Sequence, residues 1–362
     1  MLRLIASVPG TALATVVALA LPASAGAIFH GTPVAPADAA WSAALTARGH
    51  LGCGGALIAR DRVLTAAHCV QGVDPARVHL RLGGGRWQRG RELAWRGAVF
   101  PITYRALPSP GEPDNPKHAA AIDDVAVLLL RRAVAGVTPL PLASGPPLIG
   151  ENARTVGRGR TGPVAPQSGA PAADPGGPTD APRAAAQTVQ GPGICAQAYG
   201  GALFHPERHL CTLDTTATAA QACAGDSGSP VLVRRGGDLV IAGVVSWGGE
   251  TQGRDCGGGL PDVAERVDRH LRLLRSRPKA VAPWALRRVR VRRRGHTLRC
   301  VAGAWRPASA TLHVRWYRGS ANHNTTVPGT ARTRRAGRRP LGCEVTARTA
   351  GGVAHEISYN QL

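Results

Sequence analysis

Between residue 28 and about residue 275 the apolar positions fall in short runs. The stretches 55–59, 77–82, 125–130 and 240–245 are apolar or alternating, and Gly, Pro and Asp separate them. Runs of that length bounded by turn residues predict strands, because successive side chains of a strand point to opposite faces. Short strands at regular spacing predict an all-β sandwich or barrel. The period changes over 262–277, where Val263, Val267, Leu271 and Leu274 recur at three or four residues and predict a closing amphipathic helix.

Three stretches break this pattern. Residues 157–193 are dominated by Pro, Ala and Gly without a sustained apolar period, which predicts a long loop. Residues 278–295 are rich in Pro and Arg and predict a linker, after which 298–300, 312–317 and 342–346 read as further strands of a module over 296–362. At the amino end Arg3 precedes an apolar run at 13–21 and small residues at 23–27, the plan of a secretory signal peptide over 1–27. Cleavage after Ala27 would expose Ile28; cleavage after Ala25 would leave Gly26-Ala27 as a two-residue pro-segment. The leader is too short for a membrane span, and no other stretch could cross a bilayer. The expectation is an exported, extracellular and monomeric protein.

Composition adds two points. Eight cysteines, an even number, suit disulfides in an exported chain, and without a Cys-x-x-Cys pair they do not suit zinc. The formal charge of +22 is uneven: from residue 281 onward there are sixteen arginines, two glutamates and no lysine. An arginine-dense tail suits an anionic polymer or a cell-surface ligand, and equally a solvated linker.

The chemistry lies in three separated motifs. Gln221-Ala-Cys-Ala-Gly-Asp-Ser-Gly-Ser-Pro230 sets a serine between glycines. Leu64-Thr-Ala-Ala-His-Cys69 offers an imidazole upstream, and Asp123-Asp124 enters an apolar strand between them. A serine hydroxyl needs a neighbouring base to become a nucleophile, and His, Asp, Ser is one of the chain orders in which such a triad is built. With these residues, the stretch 28–277 resembles the trypsin-like, chymotrypsin-fold serine proteases, of the secreted bacterial type.

That resemblance implies two six-stranded β-barrels with a C-terminal helix. It implies a serine endopeptidase working on protein or peptide substrates without metal or organic cofactor. His68 would be the general base, Asp124 its orienting carboxylate and Ser227 the nucleophile. Asp124 is preferred over Asp123 because Asp124-Val-Ala126 fits the family motif. The N–H groups of Gly225 and Ser227 would form the oxyanion hole, each such donor being worth roughly 3 kcal/mol in the transition state. Disulfides would join Cys53 to Cys69, Cys195 to Cys211 and Cys223 to Cys256. Cys300, Trp316 and Cys343 fall in the Cys…Trp…Cys order of an immunoglobulin-like sandwich, and with 302–305, 315–319 and 343–347 they resemble bacterial immunoglobulin-like modules; Cys300–Cys343 would close that module.

The resemblance also carries expectations about activation and specificity. The freed α-amine of Ile28 would fold inward to pair with Asp226, so that export itself activates the enzyme. Ser246-Trp247-Gly248 would offer the edge on which the substrate backbone pairs. Gln221 stands where trypsin has its specificity aspartate, and Asp262 would supply a carboxylate from the opposite pocket wall, favouring cleavage after Arg or Lys. Asp262 could instead be the N-cap of the final helix. Chymotrypsin- or elastase-like specificity, or a non-catalytic secreted binding protein, are the other readings.

Overall fold

The computed structural model describes residues 28–107, 120–161, 180–248, 256–318, 325–327, 333–335 and 341–359. The leader over 1–27 and the middle of the Pro/Ala/Gly-rich stretch lie outside the described residues.

Short hydrophobic runs become two closed antiparallel sheets. After β1 (Thr32–Pro33), the first contains β2 (Ser42–Ala47), β3 (His50–Ala59), β4 (Arg62–Thr65), β5 (His79–Leu82), β6 (Arg91–Leu93) and β7 (Trp95–Val99). A hairpin-like pair, β8 (Arg105–Leu107) and β9 (Ala120–Ile122), precedes its last strand, β10 (Ala126–Leu130). The order is β6-β5-β2-β3-β4-β10-β7. Only Ala94 separates β6 from β7, so the two edges are halves of one bent run and the sheet closes on itself.

The second sheet contains β11 (Asn152–Gly157), β12 (Arg183–Val189), β13 (His209–Leu213), β14 (Pro230–Arg235), β15 (Asp238–Trp247) and β16 (Asp262–Arg266), with the short α1 (Pro192–Tyr199) between β12 and β13. Its order is β1-β12-β11-β14-β15-β16-β13, and β12 also pairs with β13, which completes a ring. Leu57, Leu64, Leu80 and Leu128 fill one barrel; Leu210, Leu232 and Ile241 fill the other, all essentially inaccessible. Removing their apolar surface from water supplies the main driving force, about 25 cal/mol per Å².

The structure corrects three expectations. The helix predicted over 262–277 is a strand to Arg266, a 3-10 turn at Val267–His270, and only then α2 (Leu271–Arg275). β16 lies between β13 and β15 and buries both faces, so it has no polar alternation to display, and the Val263–Val267 spacing imitates a helix. The loop expected over 157–193 gives way at Arg183 to β12, whose buried Ala184 and Ala185 are too small to signal a strand by hydrophobicity. The expected linker over 278–295 contains β17 (Trp284–Arg287) and β18 (Arg290–Arg294).

The remaining strands are β19 (Thr297–Val301), β20 (Ala304–Arg306), β21 (Thr311–Arg318), β22 (Thr325–Val327), β23 (Thr333–Arg335), β24 (Leu341–Thr349) and β25 (Gly352–Tyr359). They form the sheets β18-β19-β23 and β22-β21-β24-β25 and the pair β17–β20. Between them lies a separate core with fully buried Trp316, Leu298, Val345 and the Cys300–Cys343 disulfide. This part rests directly on the first barrel. Ala282 N–H donates to Ala98 O at 2.7 Å, Phe100 N–H to Gly351 O at 3.0 Å, and the Gln71 side chain to Val353 O at 3.3 Å. Val281, Ala282 and Val353 join the apolar core that contains Phe100.

Candidate active site

The motif residues meet at the seam of the two barrels. His68 follows β4 in a tight turn, with Cys69 disulfide-bonded to Cys53 on β3. Asp124 precedes β10, the strand paired with β4, so the ladder that joins Thr65 to Ala126 also brings His68 to Asp124. His68 Nδ1 lies 2.7 Å from Asp124 Oδ2, and the His68 main-chain N–H donates to Asp124 Oδ1 at 2.9 Å. Asp124 is fully buried, whereas the imidazole is 33 % exposed, so one ring edge is fixed and the other faces the cleft. Asp123 turns away to Arg208 (2.6 Å) and Thr103.

Electrostatics follow from this packing. Burial would lower the His68 pKa, but the Asp124 charge and hydrogen bond outweigh it and the imidazole is raised above 6.5. Burial would raise Asp124, but His68, the Ser246 hydroxyl and the His68 N–H hold it below the ordinary carboxylate value. Ser246 donates to Asp124 Oδ2 at 2.5 Å. Its neighbour Trp247 is buried and packs edge-on against Tyr199 (4.9 Å) and His209 (5.5 Å). The sequence suggested the 246–248 edge only as a substrate rail and gave no sign of the Ser246–Asp124 bond.

Ser227 sits half-buried on a turn docked across the seam. Its carbonyl accepts from Gly54 N–H at 2.8 Å, and Gly228 packs so tightly on Thr65 and Gly54 that a Cβ there would collide with both. The Ser227 turn therefore rests on the segment that leads into His68. Gly225 has φ +94°, a left-handed conformation that favours glycine. Asp226 is wholly buried: its carboxylate accepts from Gly159 N–H at 2.6 Å and from Cys223 N–H at 2.9 Å. Arg158 stands between Gly157 and Gly159 in that cradle and is itself buried, donating to Ser42 Oγ, Gly83 O and Gly85 O. Burial brings its guanidinium down to about 10. Ile28 is fully buried beside Ala185 and Ala220, and Phe29 pairs with Gln221 through Gln221 N–H to Phe29 O at 3.1 Å.

Gln221 and Asp262, the residues expected to line the substrate pocket, are each held by polar contacts. Gln221 donates to Leu260 O at 2.8 Å and accepts from Gly257 N–H at 2.7 Å, which ties its amide to the wall. Asp262 lies in β16, so it is not the N-cap of the final helix. Its Oδ2 accepts from Gln187 Nε2 at 2.6 Å and Ala222 N–H at 2.9 Å, while Oδ1 stands 3.3 Å from where a Cβ on Gly248 would lie. Gln187 was not anticipated, because a lone glutamine in an alanine-rich stretch carries no spacing signal. The disulfides Cys195–Cys211 and Cys223–Cys256 flank this region.

A family model for trypsin matches residues 28–274. The chain belongs to the trypsin family. It is similar to Trypsin beta of Drosophila erecta (27 % identical over 231 residues, 63 % of this chain and 81 % of that one). It is also similar to the vitellin-degrading protease of Bombyx mori (29 % over 224 residues, 61 % and 75 %) and the beta-fibrinogenase brevinase of Gloydius blomhoffii (30 % over 204 residues, 54 % and 74 %). Among solved structures it resembles neuropsin, a serine protease expressed in the limbic system of mouse brain, with TM-score 0.53 and 26 % identity, covering 68 % of this chain and 97 % of that one. The protein is accordingly a trypsin-like serine endopeptidase with a chymotrypsin-like all-β fold. Among the described residues no helix is long and apolar enough to cross a membrane.

Proposed function

We propose that the protein is an exported endopeptidase cleaving after arginine or lysine through a Ser227 acyl-enzyme. The reading is carried by the 2.7 Å contact between His68 Nδ1 and the buried Asp124 carboxylate, beside the docked Ser227 turn. In this mechanism Asp124 fixes the tautomer that leaves Nε2 free to take the Ser227 proton, and His68 returns it to the leaving amine. Gly225 and Ser227 N–H groups stabilise the oxyanion. Gln221 is neutral and committed to backbone, so Asp262, held in place by Gln187 and Ala222 N–H, is the acidic residue of the opposite wall, and its acidity favours a cationic substrate side chain.

Ile28, once freed by removal of 1–27, pairs with Asp226 and completes the oxyanion turn. The disulfides support an extracellular destination. The strands after residue 283 form an immunoglobulin-like module, supported by Trp316 packed in one core with Cys300–Cys343, and the arginine-rich face of that module takes an anionic polymer. The low lysine and high Arg, Ala, Gly and Pro content supports a bacterial type, although the relatives named above are from insects and a snake.

Purified secreted protein tests the proposal on peptide substrates ending in Arg, Phe or Ala, with Ser227→Ala as control. Turnover of the Arg substrate, lost in the control, is expected. Turnover of only Phe or Ala substrates overturns the Asp262 assignment and leaves chymotrypsin- or elastase-like specificity. Inactivity of protein that begins at Ile28 overturns the mechanism and favours a binding protein. Sequencing the secreted amino terminus tests activation, and an active form beginning at Gly26 overturns it.

A further inference from the structure

The main-chain N–H of Asp124 points away from His68, to a second acid. Glu265 on β16 is wholly inaccessible; its Oε2 accepts from Asp124 N–H at 3.3 Å and its Oε1 lies 2.7 Å from His270 Nε2. The surroundings leave His270 as its partner. His209 Nε2 is 3.9 Å from Glu265 but donates to Ala121 O at 2.8 Å, while His209 Nδ1 accepts from His205 N–H. Burial lowers the His209 pKa to about 4, so this imidazole is neutral. Asp123 Oδ1 is 3.7 Å from His270 Nε2 and is already engaged by Arg208. Glu265 thus stands between Asp124 and His270 in a strand whose neighbours Val263 and Ala264 are buried apolar residues. An apolar side chain there would avoid the desolvation of a carboxylate.

The turn that delivers Asp124 also needs holding. Asp123 has φ +56°, a left-handed conformation that costs a non-glycine residue free energy, and Val125 N–H closes back on Asp123 O at 2.9 Å. Arg208 and Thr103 fix the Asp123 side chain, and Glu265 fixes the next peptide.

We propose that Glu265 and His270 form a second carboxylate–imidazole couple that positions Asp124 from its main-chain side and thereby sets the Asp124–His68 hydrogen bond. His270 orients Glu265 as Asp124 orients His68; neither touches substrate, so both are positioning residues. The proposal rests on the reading of His68 as the base.

The test combines kinetics with the low-field proton resonance of His68 Nδ1–H, assigned by its loss in His68→Ala. In Glu265→Leu, kcat falls about tenfold or more with KM unchanged, and the resonance shifts or broadens, since small misplacements of a reacting group are costly. Glu265→Gln keeps an oxygen for Asp124 N–H and restores both readouts. His270→Leu, which leaves the carboxylate without its orienting partner, moves both in the same direction as Glu265→Leu and serves where that variant does not fold. A wild-type resonance and kcat in either folded leucine variant overturns the proposal, as does a fall in kcat matched by the lost folded fraction with the resonance unmoved. A wild-type enzyme that shows the resonance but turns over no substrate instead fails the protease mechanism, and the resonance alone then judges the couple.

Discussion

The Ser246 hydroxyl donates at 2.5 Å to Asp124 Oδ2, the same oxygen that lies 2.7 Å from the His68 imidazole. Two donors share one buried oxygen, so each limits the charge available to the other. Ser246→Ala removes a hydrogen bond to a charged group and is expected to cost about 1.5–3 kcal/mol of stability in denaturant unfolding. It also leaves more carboxylate charge for the imidazole, so the His68 pKa rises further and the acidic limb of kcat/KM moves to higher pH. A limb that moves to lower pH refutes this division of charge.

The two pKa displacements predict opposite pH windows. As the proposed base His68 must be neutral, and its pKa is raised above 6.5, so the acidic limb of kcat/KM is expected above 6.5. For stability, a raised histidine contributes fully below its unfolded value and loses the contribution as pH rises through its folded value. Asp124 is lowered from 3.8, so its contribution is present above that value and disappears as pH falls through the folded one. The stability gap between wild type and Asp124→Asn, measured by urea unfolding, should narrow at both ends. The same variant should lose kcat by about 10⁴-fold, because the amide favours the wrong histidine tautomer.

Much of this site was legible because it lies in contiguous motifs. His68, Asp124 and Ser227 each sit in a stretch whose neighbours are as informative as the residue itself. Glu265, His270 and Gln187 were not legible: the meaning of each depends on what the fold brings opposite it. Gln187 is 75 positions from the Asp262 it supports, and Glu265 is 141 from the Asp124 it holds. The strands at 125–130 and 240–245 are legible as unbroken apolar runs although both their faces are buried, and the one at 77–82 by partial alternation. β16 reads as helix because Asp262, Glu265 and Arg266 break its apolar run and leave Val263 and Val267 at helical spacing, and β12 escapes notice because alanine buries little surface. Glu265 is followed directly by Arg266 between Val263 and Val267, so its charge reads as half of a polar pair and not as an isolated acid in an apolar run.

Gly159 is predicted to be intolerant of even a methyl group. A Cβ there would stand 2.6 Å from the Asp226 carboxyl carbon and 2.7 Å from Ala224 O, both held in the turn proposed to stabilise the oxyanion. Gly159→Ala should therefore displace Asp226 and reduce kcat far more than it raises KM. It should also destabilise by more than about 1 kcal/mol, within the overpacking range of 1–3 kcal/mol. Gly145 provides the comparison, since nothing lies within 4 Å of its Cβ position; Gly145→Ala should change stability by no more than about 0.5–1 kcal/mol. Equal effects at the two positions would remove Asp226 from the account of the oxyanion turn.

The contact between the first barrel and the carboxy-terminal strands should make them unfold together. Phe100 is buried at that contact, and a Cβ on Gly352 would stand 3.0 Å from its ring. Phe100→Ala is expected to cost about 3–5 kcal/mol, as for buried aromatic truncation. Calorimetry should show one transition for wild type and two for the variant, the later-numbered strands melting separately. Two transitions in wild type would mean that the contact contributes little.

The anionic ligand proposed above would couple stability to binding at the exposed face of β18 and β19. Arg290, Arg292 and Arg294 alternate with Val291, which turns to the core, and Arg299 stands directly opposite Arg292 in the antiparallel register. None of these four makes a side-chain hydrogen bond or ion pair among the described residues. Like charges opposite one another destabilise a sheet, so Arg292→Gln should raise the stability of the free protein by about 0.2–1 kcal/mol. The same change should weaken binding to a polyphosphate, because each arginine that neutralises a phosphate releases condensed counterions. The slope of log affinity against log salt should become shallower by about 0.7–0.9 for each arginine removed. Stabilisation without a change in slope would identify these arginines as a solvated face. A loss of affinity with an altered slope would identify them as the site where an anionic chain docks, and the repulsion as the cost of keeping that face ready.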